Sequence, residues 1–426
     1  MLGTKIVIIG GGFGGVYAAL GLERRLGRDS KASVTLLASE NFFLFTPMLP
    51  EIAGGGIGTR HIVSPLRKLL RRVRFAEVTV DSIDLNSRHI SARHAATGSP
   101  RVFEYDHLVL ALGGVTNFFN VPGAADNAIP VKTLGDAIYV RNHTIDMLER
   151  AAVEPENAGK ALTFVIVGGG LTGVEVGGSV NDFVREAARY YPEVDKSEIR
   201  VLLAEAGPRL MPEMTPNLAA FAESVLKERG VDVRTRCGVS RVGDEWVEFS
   251  TGERVPSLSV IWTAGVAPHP LITDLDIPKD ERGRIRTNEY LEVEGVRDLW
   301  AIGDCARIEE PITRIPYPST AQHAVREGKI AARNIVARLG AGSRRAFTYK
   351  TMGQLALVGE RTGIADLMGH RFSGFVAWFL WRTYYLMRIP MIEKRIRVVM
   401  DWTLDLFFTR DLVQLAVSRS GVFGRR

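Results

Sequence analysis

Two stretches of this chain repeat one another: Ile6 to Ala19 reads IVIIGGGFGGVYAA, and Phe164 to Gly177 reads FVIVGGGLTGVEVG, 158 residues further on. In each, a short apolar run enters a glycine-rich turn and leaves it as a helical pattern. A second apolar run follows each copy, SVTLLA from Ser33 and IRVLLA from Ile199. Strand, tight turn, helix and strand are the parts of one mononucleotide-binding half of an open parallel sheet, and two such units are expected.

The glycine spacing indicates what the turns hold. Gly10, Gly12 and Gly15 fit G-x-G-x-x-G, with Gly14 inside the same turn, and Gly168, Gly170 and Gly173 repeat the spacing in the second copy. The first glycine of such a turn permits the bend, the second lets the backbone approach a pyrophosphate and the third allows close helix packing, so that a helix N-terminus faces the anion. The next strand of the second unit ends at Glu205, whose carboxylate can accept hydrogen bonds from both ribose hydroxyls of an adenosine and would repel a 2′-phosphate, favouring NADH over NADPH. Arg209 nearby would soften that preference, and a strand-end surface charge is the plainer reading of Glu205. The matching position of the first unit is Ser39, with Glu40 beside it; either Glu40 meets the ribose, or Ser39 and Asn41 make weaker neutral contacts, or Ser39 is a plain strand end. Glu175, two residues past the last glycine, sits where the helix dipole favours its charge, and a purely structural carboxylate fits there equally well.

Apolar runs at residues 107–112, 259–263 and 299–302 end in the glycine-bearing segments ALGG, TAGVAP and AIGDC, and read as parallel strands delivering loops to a ligand crevice. Ser64 and Pro65 ahead of LRKLLRRVRF read as a capping serine and a first-turn proline opening a helix. The fold class expected is α/β, with two Rossmann-type dinucleotide-binding domains, the second inserted in the first, and a C-terminal amphipathic membrane-anchoring region. The boundaries are 1–116 with 266–345, then 117–265, then 346–426.

The two cysteines, Cys237 and Cys305, form no Cys-x-x-Cys pair, which argues against a disulfide scaffold, a structural zinc site or a dithiol centre; no metal is expected, and a reducing compartment is. The strand pattern begins at Ile6, too early for a signal peptide. No stretch reaches the roughly 18 uncharged apolar residues of a membrane span. Residues 370–426 hold ten Lys and Arg against four Asp and Glu, which accounts for the whole net charge of +6, and three of the six tryptophans, Trp378, Trp381 and Trp402. Helical patterns over 372–387 and 392–408, broken at Ile389-Pro390, suit a membrane surface more than nucleic acid, with the tryptophans at headgroup depth. Alternatively these faces bury against a second copy in a homodimer.

Together these pieces resemble the type II NADH:quinone oxidoreductases, single-subunit peripheral respiratory dehydrogenases that do not pump protons. The resemblance covers nearly the whole chain: FFLFTPMLPEIAGG is similar to the family stretch that lies along the FAD, and it is followed by ALGGVTNFFNVPG, KTLGDAIYVRNH, GGGLTGVEVGG, VIWTAGVAPHPL, LWAIGDCA and PSTAQHAVREG. Several of these are shared with disulfide reductases, ferredoxin reductases and sulfide:quinone oxidoreductases. The TNFF and AQHA segments and the tail, FSGFVAWFLWRTYY with KRIRVVMDW, point to the NADH:quinone branch.

The resemblance implies an FAD-binding domain at 1–116 and 266–345, an NADH-binding domain at 117–265 and a membrane-associating or dimerising region at 346–426. FAD would be held by Gly10, Gly12, Gly14, Gly15, Ser39, Glu40, Pro47, Gly113, Gly303, Asp304, Ala321 and Gln322, with Asp304 on the ribityl chain. NADH would be held by Gly168, Gly170, Gly173, Glu175, Glu205 and Gly265, with Glu175 where the nicotinamide meets the isoalloxazine. Gln322 matches the first glutamine of the family's A-Q-x-A-x-Q quinone pattern, and the second is replaced by Arg326, a permanent cation that alters the polarity of a headgroup pocket or stabilises the anion of a reducing quinone. His323 between them is a proton-donor candidate, although a lone helical histidine is more often a surface or core residue. Lys394 and Arg395 fall where the family places a basic residue near the quinone, and they suit lipid phosphates as well. Glu175 and Gln322 are the catalytic candidates.

The implied reaction passes a hydride from NADH to FAD and two electrons on to a membrane quinone, without proton pumping, at the cytoplasmic face of the cell inner membrane. The bilayer surface would be a partner and nucleic acid would not. The rival readings are a flavoprotein reductase of another acceptor, of the sulfide:quinone or ferredoxin type, and a non-catalytic FAD/NADH-binding redox sensor. The sulfide enzyme needs a cysteine pair near the flavin, and turnover excludes the sensor.

Overall fold

The computed structural model describes residues 3–27 and 30–414. By their contacts these form two compact units: one runs up to Leu44 and adds Val63–Val115 and Val266–Lys350, and the other comprises Phe45–Ile62, Thr116–Gly265 and the described chain from Thr351 on. The helices that frame the sites are α1 (Phe13–Arg25), α2 (Leu171–Ala187), α3 (Ala321–Arg338), α4 (Gly374–Arg388) and α5 (Ile392–Leu404).

In the first unit a seven-stranded sheet runs Leu299–Ala301, His107–Leu110, Lys5–Ile9, Ser33–Ala38, Arg74–Asp84, His89–His94, Pro100–Glu104. Its first five strands are parallel, and the last three form an antiparallel meander. Ile6, Ile8, Leu36, Leu37, Leu108 and Leu110 are fully buried, as parallel strands covered on both faces require. Helices α1 and α3 lie against each other, closely enough that a methyl group on Gly328 would stand 2.5 Å from the Gly14 carbonyl oxygen.

The second unit repeats the arrangement in five parallel strands, ordered Ile129–Pro130, Ser259–Trp262, Thr163–Val167, Arg200–Ala204, Val231–Arg234. In both units the strand before the glycine turn is central; the next strand pairs on one side, and the chain returns later to pair on the other. That reversal opens the crevice in which open α/β sheets hold ligands. From Gly353 on, a three-stranded antiparallel sheet leads into α4 and α5.

Three sequence expectations differ from the structure. The helix expected after Ser64 is a single turn, Leu66–Leu69, with no side-chain cap, and Arg74–Asp84 is a strand. Pairing of Phe75 with Leu36 and of Arg74 with Thr35 extends the parallel sheet and outweighs the local leucine spacing. Residues 45–62 group with the second unit, because the short helix Leu49–Ala53 packs on α2 and on Leu134–Val153, whereas the sequence boundaries put them in the first. The tail tryptophans are buried rather than set at headgroup depth: Trp381 and Trp402 give their indole N–H groups to buried carboxylates, an outlet that lets so large a ring leave the surface.

Candidate functional site

The two glycine turns are built alike. Gly10 has φ +119° and Gly168 φ +103°, conformations that L side chains rarely adopt. A methyl on Gly15 would lie 1.9 Å from the Gly10 carbonyl oxygen, and one on Gly173 would lie 1.7 Å from that of Gly168, so the third glycine locks the helix onto the turn. Gly14 is confined as well, since its methyl would meet Ile302 at 3.2 Å. The middle glycines differ: a methyl on Gly12 meets nothing within 4 Å, and one on Gly170 meets only Glu213 at 3.8 Å. Gly12 and Gly170 cap α1 and α2, and neither helix start has a side-chain cap. Each turn therefore presents uncapped N–H groups to open space, the cradle a pyrophosphate requires.

At the end of the second strand of the second unit, Glu205 accepts hydrogen bonds from the N–H of Gly169 through Oε2 and from that of Gly207 through Oε1, both at 2.6 Å. The carboxylate is thereby fixed beside the turn. Arg209 is turned into its own loop, where its guanidinium donates to the carbonyls of Met211, Pro212 and Met214. Ser39 and Glu40, at the matching place in the first unit, are both exposed.

The carboxyl ends of the first unit's strands bring further expected residues together. Gly113 follows one strand with φ +64° and open space at its Cβ position. Gly303 (φ +76°) and Asp304 follow another in a 3-10 turn, where the Gly303 N–H donates to Glu327 at 2.7 Å. Ala321 and Gln322 open α3; the Gln322 side chain accepts from the Tyr349 hydroxyl at 2.8 Å. Arg326 donates to the Gln322 carbonyl oxygen at 2.7 Å and stacks 4.0 Å over the Tyr349 ring. His323 is buried, with Nδ1 at 2.7 Å from the Thr320 hydroxyl and Nε2 without a partner among the described residues. Burial, helped by Arg326, pushes it down to about 4, so it is uncharged at physiological pH, with one ring N–H.

Glu175 belongs to the second unit. Its Oε1 accepts from the Leu357 N–H at 3.0 Å and from the Trp381 Nε1–H at 3.1 Å. Burial pushes it up to about 8, against both hydrogen bonds, so the helix start does not keep it charged as position alone suggests; desolvation is the larger effect. Gly265 (φ +72°) ends another strand of this unit, and Pro47 lies in the 3-10 turn Thr46–Met48. Lys394 donates to the Arg60 carbonyl oxygen at 2.7 Å and Arg395 to that of Ile389 at 2.8 Å. Of the residues expected at the quinone, Gln322 and Arg326 thus share one helix start in the first unit, while Lys394 belongs to the second.

The family described as pyridine nucleotide-disulphide oxidoreductase matches residues 4–328, and the NDH2 C-terminal domain matches residues 351–411. The chain belongs to the type II NADH:quinone oxidoreductases. It is 31% identical to a probable NADH dehydrogenase of Dictyostelium discoideum over 96% of this chain and 90% of that one. It is 29% identical to the type II NADH:quinone oxidoreductase of Mycobacterium tuberculosis, over 99% and 92%. In fold it is similar to NDH2 of Plasmodium falciparum solved with NADH, with a TM-score of 0.88 at 22% identity, covering 96% of this chain and 99% of that one.

The cysteines of this type II enzyme agree with that branch rather than with the disulfide-dependent ones. Both are free and buried, and they belong to different units. The Cys305 thiol donates to the carbonyls of Ile302 and Leu110, and burial pushes it up to about 12; burial raises Cys237 as well. Neither is a ready thiolate. Two buried carboxyls lie outside the sequence candidates. Glu327 is pushed up to about 8 by burial beneath Gly303, and Glu51, raised by burial too, accepts from Trp402 Nε1 at 2.9 Å. Only Glu327 had a local cue, lying five residues beyond Gln322 on the buried side of α3.

Proposed function

We infer that this chain is an FAD-dependent NADH:quinone oxidoreductase in which the first glycine turn holds FAD and the second holds NADH. The observation that carries the assignment of the turns is their likeness: the outer glycines are demanded by the fold itself, while the middle one opens onto free space at an uncapped helix start. The chemistry a bound FAD supplies is acceptance of a hydride from NADH and return of two electrons to a quinone. The protein's own part is binding, orientation and the handling of protons.

Gly113, Gly303, Asp304, Ala321 and Gln322 complete the flavin side, with Ser39 and Glu40 toward its adenosine ribose; Pro47 is the second unit's candidate for FAD. Glu205 and Gly265 hold the adenosine and nicotinamide sides of NADH. Glu175 is protonated at neutral pH; because Oε1 already accepts two hydrogen bonds, Oε2 is the oxygen that carries the proton. A buried acid with a value near 8 can release or take up a proton under working conditions. Gln322 and Arg326, braced by Tyr349, are the first unit's residues for the quinone headgroup, and Lys394 is the second unit's candidate.

Association with a lipid surface is the reading that α4 and α5 support. Among the described residues no helix is long and apolar enough to cross a membrane. Yet Ile392, Ile396, Met400 and Leu404 form an exposed stripe at intervals of four along α5, and Phe375, Val376 and Phe379 stand out from α4. Such a stripe, flanked by Arg395 and Arg397, suits the interface of an anionic bilayer at the cytoplasmic face of the inner membrane. The same stripe is the surface a homodimer would cover.

The test is steady-state oxidation of NADH and NADPH by the detergent-solubilised protein, with and without a short-chain quinone. Fast quinone-dependent oxidation of NADH, with NADPH much poorer, is expected. Reduction of the flavin by NADH without reoxidation by quinone would overturn the acceptor assignment, and no reduction at all would overturn both halves.

A further inference from the structure

The second unit contains a cavity of about 380 Å³ that none of the assignments above uses; its walls come from the 51–56 segment, the C-terminal half of α2, α4, α5 and the residues just after α5. One wall is Arg382 of α4. Its guanidinium lies between two indoles, 4.1 Å from the Trp378 ring centre and 4.5 Å from that of Trp402. Stacking of this kind fixes the group in place, yet its Nε is buried without a hydrogen-bond partner among the described residues, and the side chain makes no ion pair with them. Arg410, also in the wall, pairs with Glu186 through Nε at 3.6 Å and leaves Nη1 buried and unpartnered among the same residues. Arg229, by contrast, is taken up by Asp182 and by the Glu360 carbonyl.

A guanidinium nitrogen held buried without an acceptor is costly, and the cost is relieved if the acceptor comes from outside the protein. The planar fork of arginine matches the oxygens of a phosphate. Leu406 and Phe408, both exposed, stand at the rim of the cavity. We propose that this cavity binds a phosphate group presented by an anionic phospholipid, with the phosphate oxygens on Arg382 and Arg410 and the acyl chains leaving over Leu406 and Phe408.

Five carboxyls also line the space: Asp182, Glu186 and Glu360 are paired with Arg229, Arg410 and Arg361, which leaves Glu51 and Asp405 beside Arg382. Burial pushes both Glu51 and Asp405 upward, Asp405 to about 6, and neither approaches Arg382 closely enough to pair with it. The proposal rests on α4 and α5 being the membrane-facing surface, and the two readings fail separately in the following experiment.

The holoenzyme is titrated, by calorimetry and by thermal shift, with dihexanoyl phosphatidylglycerol below its micellar concentration, with dihexanoyl phosphatidylcholine, and with inorganic phosphate at matched ionic strength. Saturable binding of the phosphatidylglycerol is expected, at least tenfold weaker in Arg382→Met and in Arg410→Gln. Arg382→Lys, which keeps the charge but not the stacked fork, should fall between. NADH oxidation by a soluble acceptor, retained in each variant, reports that it is folded. Inorganic phosphate binding as tightly as the lipid, and lost in Arg382→Met, would keep the cavity as a phosphate site and overturn the lipid as its source. No saturable binding of either, or binding unchanged in the arginine variants, would overturn the proposal. Flotation with vesicles of phosphatidylcholine alone reports the apolar faces independently: flotation without phosphatidylglycerol binding leaves the membrane reading standing and removes this one.

Discussion

Exchanging Glu205 for glutamine separates the two services this carboxylate performs. Its oxygens each accept one backbone N–H, from Gly169 and from Gly207, at 2.6 Å. A glutamine presents one oxygen and one NH2, so one of those amides loses its acceptor and faces a donor, at a cost to the turn of about 1–3 kcal/mol. On the ligand side, hydrogen bonds from ribose hydroxyls to a charged acceptor contribute about 1.5–3 kcal/mol, so kcat/KM for NADH should fall roughly tenfold to a hundredfold. NADPH should gain little, because Arg209 is committed to the carbonyls of Met211, Pro212 and Met214 and does not turn to meet a 2′-phosphate. The preference for NADH therefore collapses by loss of NADH rather than by gain of NADPH. The assay is steady-state kcat/KM for both nucleotides with a short-chain quinone, beside the Tm of the same preparation. A lowered Tm with NADH kinetics unchanged would show that the carboxylate serves the turn alone, and the nucleotide assignment would be wrong.

Gly12→Ala and Gly15→Ala should diverge: the first meets nothing in the protein and should fold with its Tm little changed while losing FAD, whereas the second collides with the Gly10 carbonyl and should lower the yield of folded protein. Flavin absorbance and circular dichroism read this, and full FAD occupancy in Gly12→Ala would refute the pyrophosphate assignment. Glu175→Gln keeps an oxygen for Leu357 and Trp381 but holds no titrating proton, so the activity profile should lose its limb near pH 8; an unchanged limb would assign that titration to another group. Glu175 and Glu327 are each raised from the ordinary 4.5 to about 8, so the folded chain keeps protons that the unfolded chain has released. Stability should accordingly fall as pH rises from about 4.5 to about 8, by at most about 1.4 kcal/mol per pH unit for each carboxyl, and level off above. Glu327→Gln should flatten that slope in urea unfolding, and an unaltered slope would remove Glu327 as a contributor.

What was legible in the sequence is what is local. A buried strand, a glycine that must bend, a helix that must pack against it and an acid at the next strand's end all fall within about forty residues, and each is imposed by backbone sterics or by pairing with a close neighbour. The failures share the opposite property. The run after Ser64 has helical spacing, but a strand from Ser33–Ala38 claims its end. His323 reads as a titrating histidine along the chain, until burial and the nearby Arg326 push it down to about 4 in the fold.

The surroundings of the buried carboxyls Glu175 and Glu51 are set at still longer range. Trp381 reaches Glu175 across 206 residues of sequence, and Trp402 reaches Glu51 across 351. Read along the chain, those tryptophans belong to an aromatic, basic tail that suits a membrane surface; in the fold their rings turn inward and leave the phenylalanines and the Ile392–Leu404 stripe outside. The tail therefore does two things that a composition count merges. Its inner face supplies indole N–H groups to buried acids and clamps Arg382, while its outer face stays apolar. A substitution on the outer stripe, such as Ile396→Ser, should therefore weaken membrane attachment and leave NADH oxidation by a soluble acceptor intact. Trp381→Phe should do the reverse, because it removes a hydrogen bond from Glu175 without touching the surface. If both variants altered attachment alone, the two faces would be one, and the separation of roles argued from Trp381 and Ile396 would fail.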